Sequence, residues 1–228
     1  MLLLIPSEGF TQTLSGFFNE ADSFFRTYVS EGKVDYDAIS NNPEKLNLVL
    51  KTAENLSVSS SEAKTYQAFW INAYNLAVIK GIIDNYPLKS PLDKAGFFDA
   101  VTYNLGGISV TLNDIENTIL RAKFEEPRFH FVLVCGAQGC PPLISRAYLP
   151  GSLETSLQQQ TIKALNDSSF IRTSENSVAL SEIFKWYNGD FTRNGNSEID
   201  FLNLYRKEKI SPDAEVTYYT YDWRLNSK

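Results

Sequence analysis

Imidazole and sulfur are scarce in this sequence: its 228 residues include one histidine, two cysteines and one methionine. Two cysteines make neither a disulfide framework nor a full zinc site. Positive charge is also in deficit. With 21 Lys and Arg against 27 Asp and Glu, the net charge is −6. That argues against a phosphate-backbone binder, because nucleic-acid affinity rests on clustered Lys and Arg. No apolar run is long enough to span a bilayer, and no internal repeat or block of like charge stands out. What is present is an ordinary globular composition, 43% hydrophobic and 21% charged. The length suits one large domain or two small ones and can bury a substantial core. Rings are plentiful, at 15 Phe, 12 Tyr and 3 Trp, and should fill much of that core.

Hydrophobic spacing divides the chain into elements. Leu14, Phe17, Phe18, Ala21, Phe24, Phe25 and Tyr28 recur three and four apart, which predicts a helix over Phe10 to Val29. After Gly32 comes a short extended piece, a helix near Asp37, and a helix opened by Pro43 that runs to Leu56. Ser61 to Tyr86 is apolar on nearly every side, which marks a buried central helix. Its Asn72 and Asn75 share a face, and each needs a partner in such surroundings. They face a cleft on one reading and tie down neighbouring backbone on the other. Ala100 to Leu105 and Ile108 to Leu112 flank Gly106-Gly107 as a β-hairpin. Asn113 reads as the N-cap of a helix through Ala122, with Glu116 as its capping-box partner. Farther on come a helix capped by Ser152, paired strands at Phe170 to Thr173 and Val178 to Leu180, and an aromatic helix over Ser181 to Tyr187. A polar loop over Asp190 to Asn196, a helix over Ile199 to Arg206 and a strand over Val216 to Trp223 complete the chain.

The expected fold is thus a single α+β domain, mainly helical, with a buried central helix and a small, mostly antiparallel sheet. Residues 1–30 form an N-terminal segment and first helix packed on the globular domain 31–228. The start, MLLLIPSEGFTQ, is similar to the tail of a signal peptide, although an ordinary apolar cluster is the plain alternative. If a signal peptide lies upstream, the protein is periplasmic or secreted and a Cys135–Cys140 disulfide becomes possible; otherwise it is cytoplasmic.

The scarce residue types gather in one stretch, Glu125 to Leu143 (EEPRFHFVLVCGAQGCPPL). Phe129 to Cys135 is β-branched and aromatic enough for a buried strand. Alternation along it sets His130, Val132 and Val134 on one face and Phe129, Phe131, Leu133 and Cys135 on the other. Gly136 to Gly139 lets the backbone come close to something, and Pro141-Pro142 stiffens the exit from Cys140.

Five pieces carry a resemblance: Phe69-Trp70-Ile71-Asn72-Ala73-Tyr74-Asn75, Pro127 to Phe131, Cys135 to Leu143, Ile183 to Tyr187, and Tyr221-Asp222-Trp223. From about Val34 to Asn226 the chain resembles the domain-of-unknown-function family numbered 547. That resemblance implies a single α+β domain, often in exported bacterial proteins and joined to other modules in plants, and it implies no established activity. Family members tend to carry a histidine between the Ile-Glu pair and the Leu-Arg dipeptide; here that position is Asn117.

Two functional readings follow. In the first, Cys140 is the nucleophile of a cysteine-dependent hydrolase or acyl transferase, with His130 as its imidazole and Asn75 orienting that ring or donating to an oxyanion. Asn72 and Tyr74 belong to the same cleft, and small apolar packing groups remain the plain alternative for both cysteines. In the second, the domain is a non-enzymatic cell-envelope binding module, in which Arg128, His130 and the loop amides of Gly136 to Gly139, with Gln138 among them, cradle an anionic group on a peptide or glycan. Either way the expected partner is a small molecule or peptide, with no cofactor, no metal and no nucleic acid. The ligand spacing of His130, Cys135 and Cys140 fits no familiar zinc pattern.

Overall fold

Thr13 opens the first helix, its hydroxyl accepting from the Gly16 N–H at 3.0 Å. The structure, a computed structural model, describes residues 13–228. The signal-like segment and the start of the first predicted helix lie outside the described residues. Helix α1 (Leu14–Tyr28) buries Phe17, Phe18, Phe24 and Phe25, and Phe17 meets Phe69 of the central helix at 4.9 Å between ring centroids. A small antiparallel pair, β1 (Val29–Ser30) and β2 (Lys33–Val34), leads to α2 (Tyr36–Asn41) and α3 (Glu44–Glu54).

Helix α4 (Ala63–Ile83) is the centre of the molecule, and every residue from Ala68 to Ile79 is buried. The hairpin β3 (Thr102–Leu105) and β4 (Ile108–Thr111) follows in the expected register, Leu105 opposite Ile108. Gly106 and Gly107 both take positive φ, +62° and +78°, the conformation that a two-residue primed turn requires.

The next helix departs from expectation. Asn113 makes no side-chain cap. Thr111 Oγ1 instead accepts from the Asp114 N–H at 3.0 Å, while Asp114 Oδ2 accepts from the Thr111 N–H at 2.9 Å. The reciprocal cap therefore lies two residues earlier than predicted, and Glu116 takes no part in it. From there Asp114–Arg121 winds as a π-helix and passes into the short α5 (Ala122–Phe124).

The predicted strand over Phe129 to Cys135 is absent. Pro127–Phe131 is a 3-10 helix, opened by proline and by the Glu126 carboxylate, which accepts from the Arg128 N–H. Helix α6 (Leu153–Leu165) follows, without a side-chain cap from Ser152. Strands β5 (Ile171–Thr173) and β6 (Ser177–Ser181) pair antiparallel, and β7 (Glu215–Tyr219) joins β6 in parallel. Between them lie α7 (Glu182–Trp186), α8 (Asn188–Phe191) and α9 (Glu198–Tyr205). Helix α8 reaches into the predicted polar loop, where it places Asp190. The buried side chains form two apolar clusters, one around α4 and one beneath the three-stranded sheet, and Cys140 packs against both.

Candidate functional site

Where the two clusters meet, a cleft of about 260 Å³ opens, with Tyr74, Glu116, Asn117, His130, Cys135 and Cys140 in its wall. Trp186, Tyr187, Tyr221 and Trp223 supply aromatic sides. The cleft is therefore built from separate parts of the chain: α4, Phe98 before the hairpin, the start of the π-helix, the 130–140 stretch, and the aromatic segments at 183–187 and 221–223.

His130 is buried and fixed from two sides. Its Nε2 lies 2.7 Å from Asp190 Oδ2, and its ring stacks on Tyr187 at 4.2 Å between centroids. Arg121 Nε donates to the same Asp190 oxygen at 2.7 Å, with its guanidinium 4.5 Å above the Tyr187 ring. Burial opposes a charge on Asp190, but the hydrogen bonds from His130 and Arg121 outweigh it and hold the carboxyl well below the usual carboxylate range. Arg121 Nη1 also donates to Asn117 Oδ1, and Asn117 Nδ2 donates to Asn113 Oδ1 at 2.8 Å. One hydrogen-bonded chain thus runs Asn113–Asn117–Arg121–Asp190–His130. The first three members are spaced four apart and so share one helical face. Asn117, at the position where the resemblance implies histidine, lies in the cleft wall.

Glu116, released from capping, accepts from the Tyr74 hydroxyl at 3.3 Å. Burial raises the Tyr187 phenol well above its ordinary value, and the neighbouring Glu116 carboxylate raises it further.

The two sulfurs sit together. Cys140 Sγ accepts from the Cys135 N–H at 3.1 Å and from the Tyr221 O–H at 3.0 Å, and Cys135 Sγ lies 3.1 Å from that same phenol oxygen. Burial pushes the Cys135 thiol well up. Burial also opposes ionisation of Cys140, yet hydrogen bonds from Cys135 and Tyr221 bring its thiol below the ordinary range. Glycine makes this arrangement possible. A Cβ at Gly139 would stand 2.8 Å from the Tyr221 ring, and Gly136 turns at φ +84° against Ile82.

Of the residues singled out from sequence, His130, Cys140 and Tyr74 meet at the cleft. The predicted separation of faces fails, because His130, Leu133 and Cys135 all line it. Asn72 and Asn75 lie outside the lining, with their amides occupied by backbone. Asn72 Nδ2 donates to Tyr148 O at 2.7 Å while its Oδ1 accepts from the Tyr148 N–H at 3.0 Å. Asn75 Nδ2 donates to Val132 O and its Oδ1 accepts from the Val134 N–H, both at 2.9 Å. Arg128 is engaged elsewhere by Glu126 and Glu154, each at 2.6 Å.

Two of the four loop amides are taken as well. The N–H groups of Gln138 and Gly139 donate to Arg224 O at 2.7 Å and to Asp222 O at 2.8 Å, and Gly136 O accepts from the Asn226 N–H at 3.0 Å. Sequence reasoning missed Asp190 and Tyr221 and set Glu116 aside as a cap. The signal nearest to finding them was the pair of aromatic motifs at 183–187 and 221–223. Among the described residues no group of three or more His, Cys, Asp or Glu is placed to hold a metal ion, and no helix is long and apolar enough to cross a membrane.

A family model described as "Protein of unknown function, DUF547" matches residues 58–163. It bears out the resemblance over the central helix and the cysteine loop, while the motifs at 183–187 and 221–223 lie outside the matched residues. No curated protein and no solved structure matches the chain.

Proposed function

We propose that this domain is a cysteine-dependent hydrolase or acyl transferase with Cys140 as its nucleophile. The observation that carries the reading is the setting of Cys140 Sγ, which faces the cleft, accepts from one N–H and one O–H, and shares that cleft with the His130–Asp190 pair. A sulfur with two donors holds negative charge and attacks an acyl carbon as thiolate. In this reading the same Cys135 N–H and Tyr221 O–H turn to the carbonyl oxygen as charge leaves the sulfur. Among the described residues no hydrogen bond joins Cys140 to His130, so the imidazole is not the thiolate's ion-pair partner. It lines the same cleft with Nε2 held on Asp190, which leaves the other ring nitrogen, Nδ1, to serve the leaving group. In this reading Asn75 is a positioning residue, fixing the Val132–Val134 backbone that joins His130 to Cys135.

The test is an activated acyl ester such as p-nitrophenyl acetate. The expected result is an acyl adduct on Cys140, with turnover at least about a hundredfold lower in Cys140→Ser. Undiminished turnover in that variant, or an adduct on any other residue, would overturn the assignment.

A non-enzymatic binding module is the second reading, favoured by the aromatic shelf at the mouth of the cleft. Trp186 is 45% exposed and stacks on Trp223 at 5.8 Å, a surface suited to sugar or aromatic rings. An anionic ligand is the weaker form of this reading, since Arg128 and the amides of Gln138 and Gly139 already have partners. A binding module should keep its ligand in Cys140→Ser.

A further inference from the structure

Cys135 and Cys140 are both free thiols, and both line the cleft. Only four residues separate them, and the loop between them is fixed. Cys140 N–H returns to Ala137 O at 3.2 Å, while Gln138 and Gly139 are pinned to the 222–224 backbone. The sulfurs are therefore presented side by side, in contact with one phenol oxygen at 3.1 Å and 3.0 Å, and Cys140 Sγ also accepts from the Cys135 N–H. A sulfur–sulfur bond between them would close the same 135–140 loop that these contacts already fold back on itself.

The two sulfurs are also unequal. Cys140 has the donors and the ionisable thiol, whereas burial keeps Cys135 protonated. Hydrolysis or acyl transfer uses one sulfur and leaves the Cys135 thiol with no chemical task.

We infer that Cys140 and Cys135 form a two-cysteine oxidation site, with Cys140 as the peroxide-reactive sulfur and Cys135 as the resolving sulfur. The co-reactant is a hydroperoxide small enough for the cleft. In the first step the Cys140 thiolate attacks one peroxide oxygen and the O–O bond breaks. The sulfur becomes a sulfenic acid, and the departing alkoxide or hydroxide takes up a proton. In the second step the Cys135 sulfur attacks the Cys140 sulfur and the S–O bond breaks. The hydroxyl leaves as water, carrying the proton that Cys135 gives up. Two thiols lose two electrons and the peroxide gains them, leaving a Cys135–Cys140 disulfide that a dithiol reductant reopens. No acyl substrate enters either step, so the site stands or falls independently of the hydrolase reading.

The experiment is mass spectrometry of the whole chain after hydrogen peroxide at neutral pH, followed by alkylation. Wild type should lose two hydrogens and become resistant to alkylation at both cysteines, and dithiothreitol should restore both. In Cys135→Ser, with no resolving thiol, dimedone should trap a sulfenic acid on Cys140 about tenfold more than in wild type. Wild-type protein alone decides the matter if that variant folds poorly. A stable dimedone adduct on wild-type Cys140, oxidation beginning at Cys135, or two cysteines still open to alkylation after peroxide would each overturn the inference.

Discussion

Tyr221 shows how one side chain can set the chemistry of a site to which sequence attaches no role. Its O–H is one of the two donors in contact with Cys140 Sγ, and it comes from the far end of the chain. Replacing it in Tyr221→Phe keeps the ring against Gly139 and removes only the hydroxyl. The Cys140 thiol should then titrate about one pH unit higher, and alkylation by iodoacetamide near neutral pH should slow about tenfold. A pH–rate profile for alkylation measures this directly, and an unchanged midpoint would mean that Tyr221 is packing alone. Glu116 teaches a related lesson. Its spacing from Asn113 fits a capping box, yet Thr111 and Asp114 make the cap. Local pattern could not choose between two registers of the same motif two residues apart.

At the scale of elements, strong periodicity was legible and backbone satisfaction was not. The α1 stripe, the all-round apolar α4 and the Gly106-Gly107 hairpin stand close to where spacing and turn chemistry put them, because each rests on contacts that recur regularly along the chain. Phe129 to Cys135 has the composition of a strand, but a short apolar run does not reveal its partner. Here the partner is a side chain. Asn75 exchanges both an N–H and a C=O contact with Val132 and Val134, as a neighbouring strand would, and Asn72 does the same for Tyr148. Asn75→Ala should strand two buried backbone groups and cost about 2–5 kcal/mol, readable as a lower urea midpoint. If Asn75 acted directly on substrate, the variant would keep its stability and lose kcat instead, so the two measurements together separate support from chemistry.

Across the whole molecule, the cleft exists because the two apolar clusters are tied at a polar seam, and Asp190 is its most heavily bonded carboxylate. The groups facing it are His130 and Arg121 at 2.7 Å and Arg193 at 3.3 Å, and its side chain is only 12% exposed. Its folded-state pKa lies below its unfolded one, so folding favours the ionised form. The resulting stabilisation is complete above the ordinary aspartate pKa of about 4 and is lost as pH falls from there towards the folded value. The lowered carboxyls Asp114, Asp200 and Asp222 take their hydrogen bonds within a turn or from a neighbour two residues away, and Glu154 is largely exposed, so they bind distant parts of the chain less firmly. Asp190→Asn keeps the shape and removes the charge. It should lower stability at pH 7 by about 1–3 kcal/mol, because Arg121 loses its buried anionic partner. It should also flatten the fall in stability below about pH 4. Urea unfolding of both proteins at pH 7 and about pH 3 gives the two differences. Parallel losses in wild type and variant would place the acid-sensitive tie elsewhere, whereas a gap that narrows with acid assigns it to the seam that shapes the cleft.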